Sequence, residues 1–260
     1  MIKVSLLDSL CLGEGGVISI VGAGGKTTLL ERLARDIQER GETVLVTTTT
    51  KIIMPSGAPA DQAIIARQAG DVMKQAMSLL SKYRRLTAAC SYLSRENKLV
   101  GFPVEEITAL EKESLFRWIL VEADGARHLP LKAPASHEPV IPPSSRHVIA
   151  VAGLEAIGKP LSEEWVFRSH LFAGLTGLPP GARITAQAVA VAISHASGIM
   201  KGCPPGAGRI VFLNKAETDE RRESGREVVR FLRAMDGRKP DRVIIGALER
   251  EEDPLECHEL

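Results

Sequence analysis

From Val17 to Thr47 an apolar run, a glycine-rich turn, an amphipathic stretch and a second apolar run follow in unbroken succession. Val17-Ile18-Ser19-Ile20-Val21 reads as a buried strand. Past the turn Gly22-Ala23-Gly24-Gly25, helical spacing over Lys26 to Arg40 sets Leu29, Leu30, Leu33, Ala34 and Ile37 on one face. Glu31, Arg32, Arg35, Asp36 and Glu39 fall on the other. Gly41 stands where a helix C-cap glycine belongs. Thr43-Val44-Leu45-Val46-Thr47 is a second strand. Strands joined through a helix in this way lie parallel, with a right-handed crossover. A chain that begins so is committed to an α/β sheet.

The remaining pattern continues the alternation. Strands are expected at 63–66, 85–91, 98–102, 118–121, 147–152, 209–213 and 242–247, and helices at 71–82, 104–115, 162–173 and 185–196. Thr218 is placed to cap a further helix running to about Met235. Pro130, Pro134, Pro139, Pro142 and Pro143 mark an irregular loop. Aromatics are only 4%, so Leu, Ile, Val and Ala must build the core, which suits a parallel sheet covered by helices. The expected fold is one α/β domain over residues 1–260, a doubly wound, mostly parallel sheet with helices on both faces, like that of phosphate-loop nucleoside triphosphatases.

Charge and cysteine usage narrow the partners. The formal net charge is +1, and the basic residues are interspersed with acids, so no nucleic-acid footprint is expected. Cys11, Cys90, Cys203 and Cys257 are far apart, which argues for reduced thiols rather than disulfides or a zinc site. Cys257-His258 falls in what reads as a frayed tail. The N-terminal apolar stretch is broken by Asp8 and is no secretory signal. No apolar run reaches the length of a membrane helix. The expectation is a cytoplasmic protein.

The turn at 22–28 carries the chemistry. Glycines let a backbone bend tightly and turn its N–H groups inward. A lysine reaches outer phosphates, the next hydroxyl holds Mg²⁺, and a helix starting there presents its positive end to an anion. Gly22, Ala23, Gly24, Gly25, Lys26, Thr27 and Thr28 meet these demands between strand and helix. In the common G-x-x-x-x-G-K-[ST] spacing the first glycine would fall on Ile20. The spacing here, G-x-G-G-K-T-T, resembles the G-T-x-G-K-T-T loop of Mur-type ligases. A dinucleotide site fits less well: the third glycine of G-x-G-x-x-G would be Thr27, and the second strand ends in threonines rather than an acid.

Glu122 and Asp124 end an apolar strand, where acids can hold Mg²⁺ or activate water. Lys26, Glu122 and Asp124 are therefore the catalytic candidates, and Thr27, Glu122 and Asp124 the metal candidates. Thr49, Thr50 and Lys51 follow the second strand and could reach a phosphate or a metal-bound water. Asn214-Lys215-Ala216-Glu217 approximates N-K-x-D, the guanine-reading turn of GTPases, with an acid one methylene longer. Asn214, Lys215 and Glu217 thereby become base-contact candidates, with ATP and GTP both open. Lys132, His137 and Glu138 could line a substrate side. His128 and His147 carry weaker signals.

In combination, VGAGGKTT (21–28), LVTTTTKI (45–52), VEADGARHLPLKAPASHEPVIP (121–142), VAGLEAIGKPL (151–161) and LNKAE (213–217) resemble the YqeC family. Its members are described as accessory proteins of selenium-dependent molybdenum hydroxylases. The resemblance implies a maturation role, with a molybdenum hydroxylase or its cofactor precursor as partner. The expected function is a Mg²⁺-dependent nucleoside triphosphatase or nucleotide-gated accessory factor. The alternatives are an ATP-dependent ligase or transferase acting on a small molecule or cofactor precursor, and a non-catalytic cofactor carrier.

Overall fold

The computed structural model describes residues 6–54, 62–250 and 252–260; the first five residues of the N-terminal apolar stretch lie outside them. In chain order the elements are α1 (Leu6–Leu10), β1 (Gly16–Gly22), α2 (Lys26–Glu39), β2 (Val44–Thr48), β3 (Lys51–Ile53), β4 (Ala63–Ile65), α3 (Ala69–Leu79), β5 (Arg85–Ala89), β6 (Ser91–Leu93), β7 (Lys98–Val100), α4 (Val104–Lys112) and β8 (Trp118–Glu122). There follow β9 (Leu131–Lys132), β10 (Ser145–Gly153), a 3-10 turn Leu154–Ala156, β11 (Val166–Phe167), α5 (Ser169–Thr176), α6 (Ala186–Ser194), β12 (Gly208–Asn214), α7 (Asp219–Ala234), β13 (Arg242–Ile245) and β14 (Glu256–Glu259).

Nine strands form one sheet in the order β14-β13-β12-β10-β1-β8-β2-β5-β4. All pairings are parallel except β13 with β14. The two-residue period of a strand sends neighbouring side chains to opposite faces. Ile18, Ile20, Val44, Val46, Leu120 and Ile149 accordingly pack with α1 and with Leu29, Leu30, Leu33 and Ile37 of α2. Val17, Val21, Leu45, Val121, Val148 and Val211 pack on the other face, with α3 to α7. This is the doubly wound α/β fold expected. β1 lies at the centre, so the turn after it opens at the C-terminal edge of the sheet between β10 and β8. That edge is where open parallel sheets bind ligands.

Local chemistry explains the helix ends. After α2, the N–H of Gly41 bonds Gln38 O and that of Glu42 bonds Ile37 O, the paired closure that a glycine past a helix end permits. The hydroxyls of Thr185 and Thr218 accept the N–H groups of Ala188 and Arg221 and start α6 and α7.

Several boundaries depart from the sequence reading. The stretch 162–173 is not one helix. Val166 and Phe167 pair with β9, Arg168 takes a left-handed φ of 63°, and α5 starts only at Ser169, whose N–H and hydroxyl bond Glu163. The apolar spacing there fits a helix, but the pairing with β9 outweighs it. The strand read over 85–91 is divided between two sheets, because β3, β7 and β6 form an antiparallel sheet of their own. The tail read as frayed is β14, which runs antiparallel along the edge at β13 and ties Glu256 to Arg226 and Arg222. The four cysteines are free thiols. No helix among the described residues is long and apolar enough to cross a membrane.

Candidate functional site

The turn from β1 into α2 is pinned from three sides. The N–H of Gly22 donates to Asp124 Oδ2 at 3.0 Å, that of Ala23 to Val151 O at 2.9 Å, and that of Gly24 to Leu129 O at 3.0 Å. These three amides are engaged inside the protein. The amides that follow are not so engaged. Lys26, Thr27 and Thr28 open α2, their first-turn amides have no intrahelical acceptor, and no side chain caps them. The amides without an acceptor among the described residues are thus those of Gly25 to Thr28, a narrower set than the whole segment 22–28.

Close packing leaves no room for side chains here. A Cβ on Gly24 would stand 2.5 Å from Gly153 N and 2.7 Å from Pro130 O, and one on Gly25 would collide with Asn214 Nδ2. Gly25 also holds a φ of 128°, strained for any other residue.

Beneath the loop runs a chain of alternating buried charges. Lys26 is 4% exposed. Its Nζ donates back to Gly22 O at 2.8 Å and stands 3.3 Å from Asp124 Oδ1 and 3.7 Å from Glu122 Oε1. Asp124 and Lys132 are fully buried. Lys132 Nζ lies 2.9 Å from Asp124 Oδ2 and 2.7 Å from Glu138 Oε2, and it donates to Gly125 O at 2.7 Å. Arg168 closes the chain with two bonds to Glu138, at 2.6 and 3.1 Å. The cations Lys26, Lys132 and Arg168 balance the anions Glu122, Asp124 and Glu138. If Lys26 swings toward a phosphate, Asp124 therefore keeps Lys132 as its counter-ion.

The two strand-end acids differ. Glu122 accepts from Thr27 Oγ1 at 3.3 Å. Burial pushes its carboxyl above the usual range, the Lys26 charge pulls it back, and Asp124 adds to the rise. Asp124 Oδ1 is buried without a hydrogen bond, so its contact with Lys26 is an ion pair only. Thr27 Oγ1, Glu122 and the orphan oxygen of Asp124 make a hard-oxygen donor set that fits Mg²⁺, which is commonly held by one or two carboxylates together with phosphate and water oxygens. Among the described residues, no cluster of three or more His, Cys, Asp or Glu side chains forms a metal cage of protein alone.

The other candidates fall as follows. The Thr28 side chain lines a groove along α2 with Glu31, Arg32 and Leu248. The threonines at the end of β2 and just after it bond neighbouring strands and the proline-rich loop: the Thr47 hydroxyl donates to Ala88 O, that of Thr48 to Glu122 O and that of Thr49 to Val140 O, and the Thr50 N–H donates to the Thr48 hydroxyl. Lys51 is exposed at the start of β3. His147 sits near the start of β10, at the opposite edge of the sheet, with Nε2 against Leu12 O. His128 is exposed with a φ of 62°, and His137 is exposed 4.0 Å from Glu138. Asn214 reaches the loop, but as a clamp. Its Nδ2 donates to Gly24 O at 2.7 Å and its Oδ1 accepts from Leu248 N at 3.0 Å. Lys215 pairs with Glu249 at 2.6 Å and Glu217 with Arg221 at 2.7 Å.

Sequence reasoning missed Arg168, whose stretch read as helix.

Comparison with known proteins agrees with the motif blocks. A family model described as YqeC protein matches residues 18–170. "Uncharacterized protein YqeC" from Escherichia coli (strain K12) is 39% identical over 222 residues, covering 85% of this chain and 84% of that one. Among solved structures, chloroplast FtsY from Physcomitrella patens gives a TM-score of 0.43 at 16% identity, over 90% of this chain and 60% of that chain. Signal recognition particle receptor FtsY from Elizabethkingia anophelis gives 0.35 at 13% identity, over 91% and 59%. The chain thus matches less than two thirds of either solved chain's length. On the family match and the identity to the Escherichia coli protein, the chain belongs to the YqeC family.

Proposed function

We propose that the chain binds a nucleoside triphosphate with Mg²⁺ at the turn between β1 and α2 and hydrolyses it. The observation that carries this reading is convergence. The free first-turn amides of α2, the Lys26 ammonium, the Thr27 hydroxyl and the carboxylates of Glu122 and Asp124 meet at the C-terminal edge of the central strands. Amides and ammonium bind the β and γ phosphates and stabilise the charge that builds there during transfer to water. Thr27 and Glu122, with Asp124 behind them, would hold Mg²⁺, which supplies charge neutralisation at the phosphate oxygens.

Thermal unfolding with ATP or GTP, each with and without Mg²⁺, tests this. A ligand at 100 times its Kd adds about 2.7 kcal/mol to the folded state, and a melting rise of roughly 5–10 °C follows for a domain of this size. No rise with either nucleotide would overturn the reading.

The family resemblance supports a further step: the nucleotide cycle serves the maturation of a molybdenum hydroxylase, by gating contact with that enzyme or with its cofactor precursor. In cells lacking the chain, a Lys26→Ala copy should fail to restore the hydroxylase activity that the intact copy restores. Equal restoration by both would contradict this role.

A further inference from the structure

Lys26, the first residue of α2, folds its side chain back across the phosphate loop. Its Nζ donates to Gly22 O, at the end of β1, at 2.8 Å, and stands 3.3 Å from Asp124 Oδ1 and 3.7 Å from Glu122 Oε1. The oxygens around the ammonium thus already belong to the protein, and two of them are anionic. An ammonium committed in this way is not available to an incoming phosphate until it lets them go.

Asp124 is placed to keep it there. Oδ2 is fixed by the Gly22 N–H at 3.0 Å and by Lys132 Nζ at 2.9 Å, while Oδ1, buried and without a hydrogen bond, faces the Lys26 ammonium. The contact can nonetheless open. When Lys26 leaves, Asp124 retains Lys132 and Glu122 retains the Thr27 hydroxyl. Neither carboxylate is stripped of every partner, so opening avoids the full cost of an uncompensated buried charge. We infer that the Asp124–Lys26 ion pair is an autoinhibitory contact: it holds the ammonium away from the phosphate cradle, and a polyphosphate engages Lys26 only by breaking it. The inference rests on the nucleotide-binding reading and adds a gate to that site. Asp124 also repels an anion simply by its charge, but that repulsion acts whether or not Lys26 is present. The gate needs the lysine.

The test is calorimetric titration of the full chain with inorganic tripolyphosphate in excess EDTA, so that no metal contact enters. Asparagine at 124 keeps the shape, and its amide oxygen can still accept the Gly22 N–H. Asp124→Asn should bind tripolyphosphate at least about tenfold more tightly than the intact chain. In a Lys26→Met background the same change should stay within about threefold, the difference being the coupling between the two residues. An equal gain in both backgrounds, or no gain in either, would overturn the gate. Should Asp124→Asn fail to fold, the intact chain supplies a second readout. A buried, bonded ammonium exchanges its protons slowly and gives a proton–nitrogen NMR signal, and the one missing from Lys26→Met belongs to Lys26. That signal should be present in the ligand-free chain and shift when tripolyphosphate is added. Its absence without ligand would show the ammonium already free and overturn the gate. Failure of the underlying reading looks different: no variant would bind tripolyphosphate at all, and the gate would fall with it.

Discussion

Replacing Lys132 by methionine removes a fully buried ammonium that pairs with Asp124 at 2.9 Å and with Glu138 at 2.7 Å and donates to Gly125 O at 2.7 Å. Methionine keeps the length of the stem but leaves two buried carboxylates short of a counter-ion. Arg168 still holds Glu138, and Lys26 still faces Asp124, so the loss is partly compensated. Removing one partner of a buried ion pair typically costs 3–5 kcal/mol, because the uncompensated charge stays buried. For a chain of this size that is a fall in melting temperature of roughly 10 °C. Urea unfolding should show the shift in midpoint at an unchanged m value. Glu138→Gln in the same background supplies the cycle, and a coupling of about 1–3 kcal/mol between the two sites is expected. A loss below about 1 kcal/mol for Lys132→Met would mean that the chain of charges does not act as one buried unit.

Glu138 sets an acid limb. Burial would raise its carboxyl, but Arg168 and Lys132 outweigh it and hold the group at about 2, against an ordinary 4.5. Because the folded value is the lower one, its stabilisation, on the order of 3 kcal/mol, is complete above about pH 4.5 and is lost as the pH falls through about 2. Glu138→Gln should flatten the stability curve over that interval, and superimposable curves would contradict it. Gly25→Ala adds a Cβ where Asn214 Nδ2 sits and forces a non-glycine residue to a φ of 128°. It should cost about 1–3 kcal/mol and abolish nucleotide binding; retained affinity in a titration would refute the tight loop. Asn214→Asp sets an acceptor against Gly24 O and should weaken nucleotide binding at least about tenfold, so unaltered affinity would show that the clamp is dispensable. Thr185→Ala removes the cap on α6 and should cost about 1 kcal/mol in unfolding without touching ligand affinity.

The sheet was legible because its strands are short apolar runs separated by helices of clear period. Val17 to Val21 and Thr43 to Thr47 lie within a residue of their observed bounds. The loop was legible because glycines, lysine and threonine must be contiguous to do their work. What could not be read is what the fold brings together from far apart. Lys132 and Glu138 are seen in sequence, but Arg168 joins them only because Val166 and Phe167 pair with β9 and turn the chain at a left-handed residue. The N-K-x-E turn was found, yet its asparagine clamps the loop, because Gly24 O and Leu248 N lie on either side of it. Likewise Thr47 to Thr49 spend their hydroxyls on carbonyls of neighbouring strands and of the proline-rich loop, partners that strand sequence alone does not reveal.

The amide resonances of residues 22–28 test the phosphate cradle most directly. On titration with Mg²⁺ and GTP, the backbone N–H signals of Gly25, Lys26, Thr27 and Thr28 should shift strongly, since they face the ligand, while those of Gly22, Ala23 and Gly24, already bonded to Asp124, Val151 and Leu129, should move less. Saturable shifts centred elsewhere on the chain, with residues 25–28 unmoved, would contradict the account.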